Sequence, residues 1–182
     1  MTLIVNAFAG PGTGKSTFAG GMFNLLKTHG YNVEYVQEFA KTLTWEKNYG
    51  ALSHQAYVTG VQQYTQNMLV GQVEAVITDS PILIGLMYYA EPNEKIKTAF
   101  ETFVFESFMV QDNLNFFLKR TKAYNTSGRN QTHEEAIEID NKTKELLQNH
   151  SIPYDEIEGN DGGLQAAFRT VKHNLDYRRR KL

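Results

Sequence analysis

The stretch Ala9-Gly-Pro-Gly-Thr-Gly-Lys-Ser-Thr17 decides the fold of this chain. It follows the apolar run 3–8, so a buried strand leads into a glycine-rich turn and then into a helix expected to open at Gly14. Glycines at 10, 12 and 14 let the backbone fold tightly, so that successive N–H groups point inward at phosphate oxygens. The start of the helix adds partial positive charge beneath them. This stretch therefore predicts binding of a nucleoside triphosphate, and we call residues 9–17 the phosphate loop.

Side chains of the phosphate loop have distinct expected roles. Lys15 reaches the β- and γ-phosphates and neutralises the moving group, while the Ser16 hydroxyl ligates Mg²⁺. The usual pattern begins with glycine, and Ala9 departs from it by one methyl group. The residues predicted to bind the cofactor, Mg-ATP, are Gly10, Pro11, Gly12, Thr13, Gly14, Lys15, Ser16 and Thr17.

Bulk composition predicts a compact enzyme of one domain spanning residues 1–182. The net charge of −2 provides no general attraction to nucleic acid or to a membrane. With no cysteine, disulfides and thiolate metal sites are excluded. No apolar stretch spans a bilayer and no signal-peptide pattern is visible, so we expect a cytoplasmic protein without a membrane partner. Oligomeric state stays open, since the aromatic residues of 100–117 suit a core or a dimer face.

Strands alternate with helical stretches, which predicts a parallel sheet covered by helices in a three-layer α/β fold. The expected strands are 2–8, 32–37, 75–78, 114–119 and 154–157. The expected helices are 14–29, a short one from Glu38, 53–73 with Ser53 as its cap, 93–111, 133–149, and a last one after the turn 159–163. Ligands of such sheets bind beyond the carboxyl ends of the strands, so strand-end side chains are the candidate site residues.

Two of those strand ends carry carboxylates. Asp79 follows the third strand and is predicted to hold Mg²⁺ together with Ser16. Because Asp-Ser-Pro is also an ordinary turn or helix cap, a structural role is the alternative. Glu38 follows the second strand and is predicted to be the catalytic base that accepts the acceptor's proton. It would alternatively hold a metal-bound water, or simply favour the start of a helix.

Residues 120–132 form a polar, cationic loop after the fourth strand. We predict that it is a mobile lid, in which Arg120 and Arg129 clamp the charge of the transition state. A plain cationic surface loop is the alternative. The tail Arg178-Arg179-Arg180-Lys181 is a basic run that is more often a solvated helix end than a binding arm.

The acceptor is harder to predict than the nucleotide. Glutamine and tyrosine residues of 55–66, together with Trp45, either build an acceptor pocket or form the mixed faces of ordinary helices. No arginine precedes position 120, although arginine is the usual bidentate partner of an acceptor phosphate. We therefore expect the acceptor to present a neutral hydroxyl.

With these residues in hand, the chain resembles the P-loop nucleoside and nucleotide kinase superfamily. It looks most like small phage-type ATPase/kinases related to ribosylnicotinamide kinase domains and to phage hydroxymethyluracil DNA kinases. The marks are the phosphate loop, Val36–Lys41, Thr78–Pro81, Tyr124–Gln131 and Tyr154–Gly159. The resemblance implies the strand order 2-3-1-4-5, a lid after strand four, and adenine held by the turn after strand five at Gly159.

Three activities are compatible with these patterns. The first is Mg-ATP-dependent transfer of the γ-phosphoryl group to a hydroxyl of a nucleoside-type acceptor. The resemblance implies the second, in which the acceptor is the hydroxymethyl group of a modified pyrimidine (5-hydroxymethyluracil) in DNA, inside the host cytoplasm if the protein is phage-encoded. The third is an ATPase switch that hydrolyses ATP without a phosphoryl acceptor.

Overall fold

The apolar run before the phosphate loop forms the central strand of the sheet. In the computed structural model, which describes residues 2–121 and 132–181, all six residues of this strand are buried. The strands are β1 (Leu3–Phe8), β2 (Val33–Val36), β3 (Ala75–Thr78), β4 (Asp112–Lys119) and β5 (Asp155–Glu158). The helices are α1 (Lys15–Thr28), α2 (Phe39–Trp45), α3 (Tyr49–Leu52), α4 (Gln55–Asn67), a 3₁₀ helix (Ile82–Met87), α5 (Glu94–Met109), α6 (His133–Asn149) and α7 (Asp161–Arg179).

The five strands form a parallel sheet in the order β2-β3-β1-β4-β5. This order and the helices around the sheet confirm the predicted fold. In the sheet, Leu3 of β1 lies opposite Ala75 of β3 and Asp112 of β4, and all four strand pairings are parallel. The carboxyl ends of the strands therefore share one edge, where the predicted site residues follow.

Helices cover both faces of the sheet because side chains of β1 alternate between two cores. Leu3 and Val5 pack with residues of α1 and α7 on one face. Phe8 packs on the other face with the 3₁₀ helix, α5 and α6. The aromatic residues Phe100, Phe108, Phe116 and Phe117 are buried in these cores, whereas Phe103 is exposed.

The structure corrects three details of the predicted helices. Helix α4 ends at Asn67 rather than at residue 73, and the chain then turns through Gly71, which has a φ of 83°. His54, not Ser53, precedes its first turn. Between β3 and α5 the chain forms a 3₁₀ helix that follows Pro81, for which the sequence showed no periodic pattern.

Two arginines of the basic tail are bound to the sheet edge where the strands begin. Arg178 donates to Asp112 at 2.5 Å, and Arg179 donates to both carboxylate oxygens of Glu74 at 2.5 and 2.7 Å. Both acidic partners lie at or just before the first residue of a strand. These cations are therefore at the opposite edge of the sheet from the phosphate loop. Throughout the part of the chain described, no helix combines the length and apolar character needed to cross a membrane.

Candidate functional site

The main chain of the phosphate loop adopts the conformation that its glycines were expected to permit. Gly12 and Gly14 have φ angles of 83° and 103°, in the left-handed region that favours glycine. The Thr13 hydroxyl donates to the Gly10 carbonyl at 2.8 Å and closes the turn. Ala9 is buried within the core, so its methyl group is accommodated beneath the loop. The loop is thus a compact turn at the start of α1.

Lys15 is the first residue of α1, and its side chain folds back over the loop. Its Nζ donates to the Gly10 carbonyl at 3.1 Å. Burial lowers the pKa of the Lys15 ammonium, while the nearby carboxylates of Glu38, Asp79 and Asp140 act in the opposite direction. A cation that lies beside a glycine-rich turn and lines the cavity is suited to contact a polyanion.

Ser16 and Asp79 meet as the strand-end positions predicted. The Ser16 hydroxyl donates to Asp79 Oδ2 at 2.5 Å, although the two residues are 63 positions apart. Asp79 is only 2% exposed, and its Oδ1 is buried without a hydrogen-bond partner in the described part of the chain. A buried carboxylate oxygen without a donor suits a hard cation, and hydroxyl and carboxylate oxygens are the ligand types that Mg²⁺ takes. The residues present therefore fit Mg²⁺.

Glu38 is the residue before α2, and its side chain does not cap that helix. Burial raises the pKa of the Glu38 carboxyl, with Asp79 adding to the rise and the cations Lys15 and Lys41 opposing it. A carboxylate with a raised pKa accepts a proton more readily than an exposed one. The environment of Glu38 is therefore suited to general base chemistry.

A cavity of about 610 Å³ runs along these residues from the phosphate loop toward α4 and the 3₁₀ helix. At the loop end, its walls include Lys15, Ser16, Glu38 and Asp79. At the far end its walls are apolar, aromatic and amide side chains: Trp45, Leu52, Gln55, Val58, Ile82, Ile84 and Tyr88. The volume falls within the range of small-molecule sites. Reactive groups and a mixed apolar wall thus share one cavity.

Only some of the predicted acceptor residues face this cavity. Gln55 and Gln62 line it, and the exposed Trp45 ring lies at its edge. Gln62 is buried and serves the fold, because its Oε1 accepts from the Phe39 amide at 3.0 Å. The side chains of Tyr57, Gln63, Tyr64 and Gln66 are not part of the cavity wall. Of the residues predicted to build an acceptor pocket, the cavity wall therefore includes Gln55, Gln62 and Trp45.

Arg120 lies behind the phosphate loop rather than in the cavity. Its Nη1 donates to the Pro11 carbonyl at 2.8 Å and its Nε to Asp140 Oδ2 at 2.5 Å. In this arrangement the guanidinium group holds the main chain of the loop, and its predicted contact with the transition state stays a prediction. Arg129 and most of the predicted lid lie outside the described residues.

Gly159, whose predicted role is to bind adenine, lies beside the phosphate loop. A Cβ atom at this position would come within 2.7 Å of the Lys119 carbonyl oxygen and 2.8 Å of the Thr13 carbonyl oxygen. Glycine therefore allows the turn after β5 to approach both. With Gly14 and Leu164, Gly159 lines a small cavity of about 20 Å³ next to α1.

Sequence reasoning missed Asp140 and Tyr88. Asp140 is on α6, where it accepts hydrogen bonds from the Gly10 amide and from Arg120. Gly10 is 130 residues away in sequence, and no motif surrounds Asp140 that would have marked it. Tyr88 follows the 3₁₀ helix, whose position depends on packing rather than on a periodic pattern.

The sheet order and the phosphate loop together define a P-loop protein with the fold of the P-loop kinases. Residues 5–163 match the profile of the AAA domain family, and the chain therefore belongs to that family. No curated protein sequence matches the chain.

Among solved structures, the chain is similar to deoxyadenosine kinase from M. mycoides. The structure of that enzyme with bound dATP is 15% identical with a TM-score of 0.54, over 93% of this chain and 98% of that one. The structure with the products dCMP and a flexible dCDP is 14% identical with a TM-score of 0.50, over 97% and 99%. Shikimate kinase from Bacteroides thetaiotaomicron is 11% identical with a TM-score of 0.47, over 96% and 98%. At these identities the likeness is one of fold.

Proposed function

We propose that this protein is a Mg-ATP-dependent kinase that transfers the γ-phosphoryl group to a hydroxyl of a nucleoside-type acceptor. The observation that carries the proposal is the cavity of about 610 Å³, which joins the phosphate loop to Glu38, Asp79 and a mixed apolar wall. A hydrolase needs room only for water beside the triphosphate. A cavity of this volume suits a second organic substrate.

The wall chemistry supports a neutral acceptor that contains a ring. Among the described residues that line the cavity, the only cations are Lys15 and Lys41, and no arginine is present to bind an acceptor phosphate. Trp45 and Tyr88 offer aromatic faces on which a base can stack. The Gln55 amide, whose Nε2 donates to Thr59 at 3.1 Å, keeps its oxygen as an acceptor for a base edge.

Each reactive residue has a role in this proposal. Loop amides and Lys15 bind the triphosphate, and Ser16 with Asp79 holds Mg²⁺, which neutralises phosphate charge when bound. The acceptor oxygen forms a bond to the γ-phosphorus as the bond to the bridging oxygen of ADP breaks. The hydroxyl proton passes to Glu38, whose raised pKa favours accepting it.

The alternative acceptor, 5-hydroxymethyluracil in DNA, receives less support. A DNA-binding tail needs cations on the side of the molecule that holds the active site. Arg178 and Arg179 are instead paired with Asp112 and Glu74 at the opposite sheet edge. We therefore favour a free nucleoside as the acceptor.

The test is to follow the label of γ-labelled ATP. The protein is incubated with Mg²⁺ and with nucleosides, nucleoside monophosphates, or DNA that contains 5-hydroxymethyluracil, with the Glu38→Gln variant as the control. Label on a nucleoside supports the proposal. Label on the DNA alone, on a monophosphate alone, or only in inorganic phosphate contradicts it.

A further inference from the structure

Two oppositely charged side chains pack against the phosphate loop without being part of the cavity wall. Arg120 comes from the end of β4 and Asp140 from the middle of α6. Their side chains are 16% and 13% exposed, and Arg120 Nε lies 2.5 Å from Asp140 Oδ2. Charge-assisted hydrogen bonds with this little exposure to water are stronger than those at the surface.

Both members of the pair also bind the main chain of the loop. Asp140 Oδ1 accepts a hydrogen bond from the Gly10 amide. Arg120 donates to the Pro11 carbonyl at 2.8 Å and to the Ala136 carbonyl of α6 at 3.0 Å. The pair thus connects α6 to one N–H group and one carbonyl group of the first turn of the loop.

Glycine at position 10 is a requirement of this arrangement. A Cβ atom there would lie 2.4 Å from the Ala136 carbonyl oxygen and 2.9 Å from Arg120 Nη2. Gly10 therefore lets the loop lie directly against α6 and the guanidinium group. This contact also explains why the first glycine is needed although its φ is not in the left-handed region.

We propose that Asp140 is a positioning residue which, through Arg120 and the Gly10 amide, fixes the first turn of the phosphate loop in the conformation that binds nucleotide. This inference rests on the proposed function, since it assigns to Asp140 a part in binding ATP. A loop whose amides are held in place before binding loses less conformational entropy when the phosphates arrive. Asp140 itself does not touch the substrate.

Removing Asp140 has two separable effects. Asp140→Ala leaves the Gly10 N–H without its acceptor and breaks the charge pair, so the first turn becomes mobile. Asp140→Asn keeps one oxygen for the Gly10 amide but replaces the oxygen that accepts from Arg120 with an NH₂ group, so it breaks the charge pair alone. We expect affinity for Mg-ATP to fall about tenfold in Asp140→Ala and about threefold in Asp140→Asn, with a larger change in KM for ATP than in kcat.

Glu138→Ala provides a matched control on the same helix. Glu138 pairs with Lys142 at 2.6 Å, but the two side chains are 61% and 57% exposed and neither contacts the loop. Its removal is expected to leave nucleotide affinity unchanged. Thermal unfolding of every variant verifies that the fold is retained, and Asp140→Asn serves if Asp140→Ala does not fold.

The experiment combines calorimetry with Mg-ATP and NMR-detected hydrogen exchange of the nucleotide-free protein. The expected result is faster exchange of the Gly10 amide and weaker Mg-ATP binding in the Asp140 variants, with neither change in Glu138→Ala. Unchanged exchange at Gly10, or wild-type affinity in the Asp140 variants, overturns the inference. If the wild-type protein binds no nucleotide, the proposed function fails instead, and Gly10 exchange still tests whether Asp140 holds the loop.

Discussion

Replacing Gly10 with alanine tests whether the contact between the phosphate loop and α6 matters. The added Cβ would lie 2.4 Å from a helix carbonyl oxygen, that of Ala136, and 3.0 Å from Asp140 Oδ1. The Asp140 side chain has some freedom to retreat, but the Ala136 carbonyl moves only if α6 or the loop moves. Because such overpacking typically costs 1–3 kcal/mol, we expect Gly10→Ala to lower the free energy of unfolding by about 2 kcal/mol.

Gly20→Ala is the matched control, since Gly20 lies in α1 and a Cβ there meets nothing within 4 Å. Alanine in a helix interior is favoured over glycine, so this variant is expected to gain about 0.5–1 kcal/mol. Urea denaturation of both variants gives the two free energies. Calorimetry with Mg-ATP should also show about tenfold weaker binding in Gly10→Ala and no change in Gly20→Ala. Wild-type stability together with wild-type affinity in Gly10→Ala would refute the reasoning.

Three further predictions concern the metal site, the base and the tail. Asp79→Asn removes one carboxylate charge from the predicted Mg²⁺ site, so the Mg²⁺ concentration for half-maximal activity should rise at least about tenfold in a metal titration. An unchanged Mg²⁺ concentration for half-maximal activity argues against this site. Burial raises the pKa of the Glu38 carboxyl above its usual 4.5, and a base works only when deprotonated, so the fall of kcat/KM at acid pH should begin at a higher pH than for an exposed glutamate. Glu38→Gln should be slower by about 10²–10⁴-fold and should lose this acid fall. If Glu38→Gln keeps the acid fall, Glu38 is not its source. Arg179→Ala loses its pair with Glu74, in which the two side chains are 43% and 29% exposed, so the free energy of unfolding in urea should fall by roughly 1 kcal/mol or less. Phosphoryl transfer should stay at the wild-type rate. Slower transfer to DNA would support a DNA-binding role for the tail.

The predictable part of the site consists of residues that follow the carboxyl ends of strands, either closely or through the phosphate loop. Ser16 and Asp79 are 63 residues apart, yet the rule that parallel strands share a carboxyl edge is sufficient to bring them together. The same rule placed Glu38 and Gly159 beside the phosphate loop. For these residues, the strand pattern and the chemistry of the side chain carried the necessary information.

The unpredictable part depends on packing between distant elements. Because Arg120 follows a strand, the sequence predicts that it lies near the phosphate loop. Only the packing of α6 shows that the Arg120 guanidinium group binds Asp140 and the Pro11 carbonyl. Helix α4 illustrates a similar limit. Leu69, Val70 and Val73 continue an apolar pattern beyond the end of α4, but in the structure they pack as a turn against the small core cluster around Ile4. Periodicity alone does not distinguish a continued helix from a turn that packs against the core.

The central claim is that the phosphate loop binds a nucleoside triphosphate, and calorimetry measures this most directly. Mg-ATP is titrated into the wild-type protein and into Lys15→Ala, which removes the ammonium group that lies over the loop. The account predicts a saturable heat of binding for the wild-type protein and an affinity at least about tenfold lower in the variant. Equal affinities, or no heat with Mg-ATP or any other common ribonucleoside triphosphate, would contradict it.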